Sequence, residues 1–209
     1  MQSIEKEHAQ EINKSAIISL AHIDFNLELD YPEYTGARLK KDLRKNLIKI
    51  RPKSDTMFEG SEHRNRFFVY TEIAGILGNE KVFYGPTLPH YSSMPDVVFS
   101  VNENGQALDL PKKFVEQLND LTDLVETPDL QENGYKWYCL ILVKWQHVDQ
   151  GGDLLGEMNF KAKQLMKLGY HVRIIQPKNV LRWTQQGKMD KTDISFIINA
   201  MDQTKYLQK

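Results

Sequence analysis

The segment KWYCLILVKW, residues 136–145, is apolar from Trp137 to Val143 without the alternation of a half-exposed strand. This pattern indicates a strand that is covered on both faces. A second apolar segment, YHVRIIQP at 170–177, ends within about forty residues of the first. Between them, LLGEMNFKAKQLMKLG at 154–169 predicts a turn and a helix that ends at Gly169. Strand, helix and strand form a βαβ unit, whose two strands are expected to be parallel.

Shorter strands are predicted upstream of this unit. They are KVFYG (81–85), PDVVFSV (95–101) and QALDL (106–110), and NENG joins the last two as a hairpin turn. A helix is predicted before them at about 62–77, and a helix and loop after them at 111–133. Other helices are expected at 3–20, at about 37–50 and at about 193–207.

The order helix, three strands, helix, strand predicts an α/β fold with a mixed central sheet. Together with the pair Pro95-Asp96, this order resembles the PD-(D/E)xK core of restriction endonucleases, here with an N-terminal helical layer. Such a nuclease needs a second acid two residues before a lysine on the next central strand, so that two carboxylates hold Mg²⁺. The corresponding residues are Leu142-Val143-Lys144, so the lysine position is filled and the acid position is leucine.

A metal ion held by Asp96 alone would bind weakly. This favours the interpretation that Asp96 only begins a strand after a proline. Glu72 on the preceding helix and Asp109, nearby in sequence, leave a rearranged metal site open. The catalytic candidates are therefore vestigial: Asp96, Lys144, Glu72 and Asp109.

The sequence argues against several other classes of protein. The longest apolar run, Trp137–Val143, is far short of the roughly 20 residues that span a bilayer, so no membrane insertion is expected. The one cysteine, Cys139, cannot form an intrachain disulfide. No phosphate-binding loop or kinase signature occurs, and the six histidines show no zinc-site spacing. No cofactor is expected, apart from Mg²⁺ if the chain is a nuclease.

Charge is segregated along the chain although the net charge is only −1. Residues 159–189 contain seven basic residues and no acid, and residues 38–53 contain eight basic residues and one acid. Residues 103–132 hold eight acids and two lysines. Segregation of this kind permits a basic face that binds nucleic acid. The plain alternative is a solvated helix face, with which the stretch 37–50 is equally consistent.

The basic residues define a candidate interface for single-stranded RNA. Trp145 and Trp183 lie beside Lys144 and Arg182, and such pairs would stack bases while the cations hold phosphates. The alternative is that these residues have no role in binding. The two tryptophans would then belong to the core, and His147 would be a surface residue at the end of a strand. The predicted RNA-binding residues are Lys144, His147, Lys161, Lys163, Lys167, Arg173 and Arg182, with a secondary patch of Arg38, Lys41, Arg44 and Lys45.

Residues 139–181, CLILVKWQHVDQGGDLLGEMNFKAKQLMKLGYHVRIIQPKNVL, resemble the RAP domain of the Fas-activated serine/threonine kinase family. The shared features are the polar-aromatic step at Lys144–His147, the Leu-Leu-Gly before the helix and the Leu-Gly-Tyr before the last strand. Upstream, LELDYPEYTGARL (27–39) resembles the end of the first FAST segment of the family. RNRFFVYTEIAGILGNEKVFYGPTLPHYSSMPDVVFSV (64–101) resembles its second FAST segment.

The resemblance implies three regions: a helical FAST-like segment at 1–60, a second FAST-like segment at 61–134 and a RAP-like domain at 135–209. It also implies an RNA-binding regulator of mitochondrial transcript processing, stability or translation, with a fold similar to very-short-patch-repair nucleases. Localisation in the mitochondrial matrix is expected from the family alone, because residues 1–20 lack the Arg-rich, acid-poor pattern of a presequence. The missing N-terminal repeats of the family imply the C-terminal portion of a longer protein.

Three functions remain open at this point. The main expectation is RNA binding by a degenerate nuclease fold without catalysis, and no kinase activity is expected. The first alternative is a divalent-metal endoribonuclease that uses Asp96 with Glu72 or Asp109. The second alternative is a protein-interaction module, in which the acidic segment 103–132 binds a basic partner.

Overall fold

The computed structural model describes residues 14–40, 61–91, 94–120, 124–128 and 135–199. The chain divides into two units, Met1–Arg51 and Pro52–Lys209. Within the described ranges, no helix is both long and apolar enough to cross a membrane.

In the first unit, helix α1 spans Lys14–Asp30 and ends ten residues after the predicted end at residue 20. Residues 3–13 of that predicted helix lie outside the described residues. Arg38 then binds back to this helix. Its Nε lies 2.7 Å from the buried Asp24 carboxylate, which also accepts the Leu39 N–H at 3.0 Å. Because these contacts hold the backbone, residues 37–40 are not helical, although a helix was predicted from Ala37. The rest of that predicted helix lies outside the described residues.

The second unit contains the predicted order of helix, three strands, helix and strand. The sequence prediction missed helix α5, and it placed the last helix two residues late at its start. The elements are α2 (Ser61–Leu77), β1 (Val82–Gly85), β2 (Asp96–Val101), β3 (Ala107–Leu108), α3 (Lys112–Asp120), β4 (Lys136–Leu142), α4 (Gly156–Lys167), β5 (His171–Ile175), α5 (Pro177–Gln186) and α6 (Lys191–Asn199).

The strands form one mixed sheet in the order β1-β2-β4-β5. β2 is antiparallel to both β1 and β4, with Val97 opposite Leu140. β4 and β5 are parallel and α4 connects them, which confirms the predicted βαβ unit. β3 pairs only with Ser100 and Val101, at the end of β2 that is remote from Asp96. The α/β class and the mixed sheet are therefore confirmed.

The centre of the core lies on β2 and β4, where nearly every residue is buried. Val69 and Ile73 of α2 and Trp183 of α5 pack in the same apolar cluster as Leu140. Each large apolar side chain buried in this way contributes about 1.5–3 kcal/mol relative to exposure. Burial on both faces explains why the β4 sequence shows no alternation.

The thiol of Cys139 provides a test of this packing. Its side chain is fully buried on β4, and its Sγ lies 3.9 Å from the Thr87 hydroxyl. Burial first, and then the nearby Asp96 charge, raise the pKa of the thiol well above its usual value. Because the thiolate is the reactive form, Cys139 is expected to react with a thiol reagent only when the protein unfolds.

The measurement is the rate of reaction with a chromogenic disulfide at increasing urea concentrations. The rate is expected to follow unfolding monitored by tryptophan fluorescence. The signal is unambiguous because the chain has one cysteine. Rapid stoichiometric labelling in native buffer would contradict the buried position of β4.

Candidate functional site

Asp96 and Lys161 form a buried ion pair at the start of β2. Lys161 projects from α4, and its Nζ lies 2.6 Å from Asp96 Oδ1; the two side chains are 0% and 1% exposed. The Lys161 ammonium also donates to the Met94 carbonyl at 3.1 Å. The other carboxylate oxygen, Oδ2, accepts from the Thr87 hydroxyl. Both oxygens of Asp96 are thus bound by groups of the protein.

The aromatic ring of Tyr91 lies beside this pair. Lys161 Nζ lies 5.4 Å from the centre of the Tyr91 ring, within the range of a cation–π contact. The Tyr91 hydroxyl donates to the Glu157 carbonyl at 3.1 Å. Burial raises the pKa of Tyr91, so this hydroxyl keeps its proton. We call Asp96, Lys161, Thr87 and Tyr91 the sealed cluster.

Two cations that were predicted to contact RNA are used inside the fold instead. Lys161 is enclosed in the sealed cluster. Arg173 is buried on β5, where its Nε donates to the Ile197 carbonyl at 3.1 Å and its guanidinium lies 5.3 Å from the Tyr138 ring. A cation at the last turn of α6 is favourable for the helix dipole. Neither side chain is presented to a ligand in solution.

The carboxylates proposed to complete a metal site lie elsewhere. Glu72 accepts the Met189 N–H at 2.8 Å. Asp109 is exposed and follows β3, near the far end of β2 from Asp96. Among the described residues, no three His, Cys, Asp or Glu side chains are grouped in a way that would hold a metal ion. A site of two carboxylates, Asp96 with Glu72 or Asp109, stays a prediction.

An open pocket of about 230 Å³ lies beyond the carboxyl end of β4. Its wall includes Leu142 and the residues after it, one face of α2 and the first turns of α5. None of the lining residues is acidic. They are Asn65, Arg66, Leu142, Val143, Lys144, Trp145, Gln146, Pro177, Val180 and Leu181. We call this the β4 pocket.

Arg66 is the distinctive residue of the β4 pocket. It is only 8% exposed, yet its guanidinium makes no hydrogen bond or ion pair within the described part of the chain. The fully enclosed polar atoms without partners in this part are those of Trp137, Asn159 and Trp183, so the guanidinium still reaches solvent. An anion that entered the pocket would interact with this charge more strongly than it would in bulk water.

Two described neighbours of Arg66, His63 and Tyr84, are neutral groups. The ring of His63 is hydrogen-bonded to the Tyr84 hydroxyl, with 3.2 Å between Nε2 and the oxygen. Burial and then the Arg66 charge lower the pKa of His63, which favours its neutral form. Burial raises the pKa of Tyr84 to about 12, although the Arg66 charge opposes that shift, so the hydroxyl also stays neutral. These two side chains leave the charge of Arg66 uncompensated.

The turn after β4 presents the second cation and an aromatic side chain. Residues Trp145–His147 form one turn of 3₁₀ helix, and His147 Nδ1 accepts the Lys144 N–H at 3.3 Å. His147 is buried, so this predicted phosphate contact instead holds the turn. Trp145 is 65% exposed beside the pocket. The predicted pairing of Lys144 with Trp145 is therefore present at one site.

The remaining predicted residues are dispersed. Lys163 is partly exposed and Lys167 exposed on α4. Arg182 binds Asp193 at 2.9 Å, and its neighbour Trp183 is a core residue and not a stacking surface. In the secondary patch, Arg38 is paired with Asp24 and Glu28, and Lys41, Arg44 and Lys45 lie outside the described residues. The acidic segment 103–132 is described only in part, so its predicted role as a docking site stays a prediction.

Sequence reasoning missed Arg66, Asn65 and the whole of α5. Two signals were present for the helix. Pro177 occupies its first turn, and Gly187 follows it with φ of 69°, the left-handed conformation that commonly ends helices. For Arg66, the signal was its position three residues before Val69, on the buried face of α2. A cation on an apolar helix face is a candidate for a buried site.

Comparison with known proteins gives no match: neither a family model, nor a curated protein, nor a solved structure is similar to this chain. The resemblance to the RAP domain therefore stays a prediction that depends on the residues quoted for it. Any function for the β4 pocket has to be inferred from its own geometry.

The sealed cluster can be tested through stability. Replacing Lys161 with methionine leaves the Asp96 charge buried without its partner, so the free energy of unfolding is expected to fall by about 3–5 kcal/mol. In the double variant Lys161→Met, Asp96→Asn, the neutral amide still accepts from Thr87, and the loss is expected to be much smaller than the sum of the two single losses. Urea unfolding measures all three variants.

Lys163→Met is the matched control, because Lys163 lies on the same helix but is partly exposed. Its effect is expected to stay within about 0.5 kcal/mol. Additive losses for Lys161→Met and Asp96→Asn would contradict the ion pair.

Proposed function

We propose that this chain binds single-stranded RNA at the β4 pocket and does not cleave it. The observation that carries the proposal is Arg66, a buried cation that has no described partner and lines an open pocket. Lys144 supplies a second cation there, and no acidic residue lines the pocket. The field of the pocket is therefore positive, and it suits a phosphate group.

An exposed tryptophan distinguishes nucleic acid from a simple anion as the ligand. Trp145 stands at the same pocket as both cations, and its indole is mostly in solvent. A base stacked on such a ring contributes about 1–3 kcal/mol and requires an unpaired strand. The apolar wall formed by Val180 and Leu181 also suits a base or a ribose. Stacking beside paired cations is the usual arrangement for single-strand binding.

The sealed cluster supports binding without catalysis. In the proposed PD-(D/E)xK core, Asp96 would be the first metal-binding acid, and the residue at position 142 would be the second metal-binding acid. Asp96 is instead neutralised by Lys161, and position 142 is a buried leucine. The strand order β1-β2-β4-β5, with α4 before the last strand, is compatible with that core. We therefore interpret the fold as a nuclease fold that retains its sheet without an accessible acid pair.

The wider role follows from the resemblance alone. As a relative of the Fas-activated serine/threonine kinase family, the chain would act on transcripts in the mitochondrial matrix, in processing, stability or translation. It would need no cofactor, and its RNA contacts would centre on Arg66, Lys144 and Trp145. Lys163, Lys167 and Arg182 would extend the interface only through long-range charge.

Substitutions in the β4 pocket test the proposed interface. Arg66→Ala and Lys144→Ala are each expected to weaken binding of a labelled single-stranded RNA about tenfold, because each removes a charged hydrogen bond to a phosphate. Each is also expected to reduce the salt dependence, lowering the slope of log K against log[salt] by about 0.7. Trp145→Ala is expected to weaken binding with the slope unchanged. Fluorescence anisotropy at several salt concentrations measures these effects.

Lys112→Ala is the control for loss of one charge, because that side chain is 92% exposed on α3, away from the β4 pocket. It is expected to change affinity and slope little. If Lys112→Ala weakens binding as much as Arg66→Ala, the attraction is diffuse and the β4 pocket is not the site. Thermal unfolding of Arg66→Ala verifies that the variant is folded.

The absence of cleavage is a separate prediction. Incubation of the same RNA with the protein and Mg²⁺ or Mn²⁺ is expected to leave it intact on a denaturing gel. Cleavage by the wild type that disappears in Asp96→Asn would contradict the proposal. It would mean that Lys161 leaves Asp96 when RNA binds and that a metal ion takes its place.

A further inference from the structure

We infer that a second base of the bound RNA stacks on Phe67, so that the interface extends from the β4 pocket across to β1. The inference rests on the proposed RNA binding and identifies a second stacking position for the same single strand. It is drawn from a cluster of four aromatic rings, from the position of Arg66 beside that cluster and from the order of the strands.

Four aromatic side chains pack together between α2 and β1. We call them the α2 aromatic cluster: His63, Phe67, Tyr70 and Tyr84. Phe67 is 48% exposed, and its ring centre lies 6.2 Å from that of His63, 5.7 Å from that of Tyr70 and 6.0 Å from that of Tyr84. A single exposed phenylalanine is ordinary on a protein surface, but this ring is held by three others. Because its orientation is fixed in advance, a base that stacks on it causes little loss of side-chain entropy.

The α2 aromatic cluster presents neutral rings to a ligand. The Tyr84 hydroxyl and His63 Nε2 are bound to each other at 3.2 Å. Burial lowers the pKa of His63 and raises the pKa of Tyr84 to about 12, so both groups favour their neutral forms. A neutral aromatic surface suits base stacking, which tolerates any sequence because every base has a π-face. The exposed side of Phe67 therefore suits a base better than a phosphate.

Arg66 connects the α2 aromatic cluster with the β4 pocket. It lines the pocket, and it lies between His63 and Phe67 in the sequence, so a single turn of α2 borders both places. The Arg66 charge lowers the pKa of His63 and opposes the rise in the pKa of Tyr84, which is consistent with a guanidinium close to both rings. A phosphate held by Arg66 would therefore lie between a base on Trp145 and a base on Phe67.

The sheet sets the distance between the two stacking positions. Tyr84 on β1 pairs with Val97 on β2, and Val97 pairs with Leu140 on β4. Leu142, two residues further along β4, lines the β4 pocket. Because neighbouring strands lie about 4.8 Å apart, β1 and β4 are separated by about 10 Å. Stacked nucleotides advance about 3.4 Å each, so a single strand of about four nucleotides reaches both positions.

The test compares a labelled uridine dinucleotide with a labelled uridine octanucleotide by fluorescence anisotropy at low salt. Phe67→Leu keeps an apolar side chain but removes the ring. It is expected to weaken binding of the octanucleotide about tenfold, because one stacked base is lost, and to leave binding of the dinucleotide unchanged. Trp145→Ala is expected to weaken binding of both RNAs. Phe67→Trp is expected to retain the affinity for the octanucleotide, because it restores a stacking surface.

Phe196→Leu is the matched control. Phe196 is 61% exposed on α6, which packs against β5, at the opposite end of the strand order from β1. This change is expected to leave the affinity for both RNAs unchanged. Thermal unfolding verifies that Phe67→Leu is folded, and Phe67→Met replaces it if it is not.

Equal binding of the octanucleotide by the wild type and Phe67→Leu would overturn the second stacking position and leave the β4 pocket as the RNA site. The exposed ring would then be a candidate contact for a protein partner. Equal weakening of both RNAs, or a folded Phe67→Trp that binds as weakly as Phe67→Leu, would also overturn the inference, because the ring would then only support the pocket. No binding of either RNA by the wild type would overturn the proposed function itself.

Discussion

A buried ion pair links helix α4 to Asp96, the first residue of the central strand β2. Taking Asp96 and Lys161 out of water costs several kcal/mol for each charge, and only close geometry with further hydrogen bonds offsets that cost. The pair therefore fixes α4 against β2. Because α4 is also the crossover between β4 and β5, its position constrains the turn after β4. A hydrogen bond of 2.8 Å from the Leu155 N–H to the His147 carbonyl makes that connection directly. The ion pair and the turn that carries Lys144 are thus connected through α4.

The buried basic side chains of this chain differ in the groups that balance their positive charge. We use that difference to distinguish cations that stabilise the fold from a cation that is a candidate for ligand binding. Lys161 has a carboxylate, Arg173 has the carbonyls of a helix end, and Arg38 has two acids. Arg66 is as buried as Arg173 but has no such partner in the described residues. Counting basic residues along the sequence does not reveal this difference. In α4, Lys161 shares a face with the buried Gln164 and Leu165, whereas Lys163 and Lys167 point away from the core. Helical periodicity therefore distinguishes the buried Lys161 from the more exposed Lys163 and Lys167, whereas the number of charges in the segment does not.

The strands and most of the helices could be predicted because their signals are local. An uninterrupted apolar run gave β4, and the parallel pairing followed from the length of its connection to β5. Helix α2 was correct because apolar residues recur at helical spacing and Gly78 follows them. The contacts of Asp96, Glu72 and Arg66 could not be predicted, since each depends on packing between elements far apart in sequence. Lys161 lies 65 residues from Asp96, and Met189 lies 117 residues from Glu72. No spacing rule covers such distances.

Position 142 connects the proposed loss of catalysis with the proposed gain of binding. Leu142 is buried at the end of β4, and it also forms part of the wall of the β4 pocket. A glutamate there, as a nuclease of this topology would carry, would place a negative charge beside Lys144 and Arg66. That charge would pair with the cations and compete with any phosphate for them. With leucine at this position, the same wall is apolar and adds no negative charge beside Arg66. The leucine at the position where the proposed nuclease core would carry its second acid therefore also leaves the lining of the β4 pocket without a carboxylate.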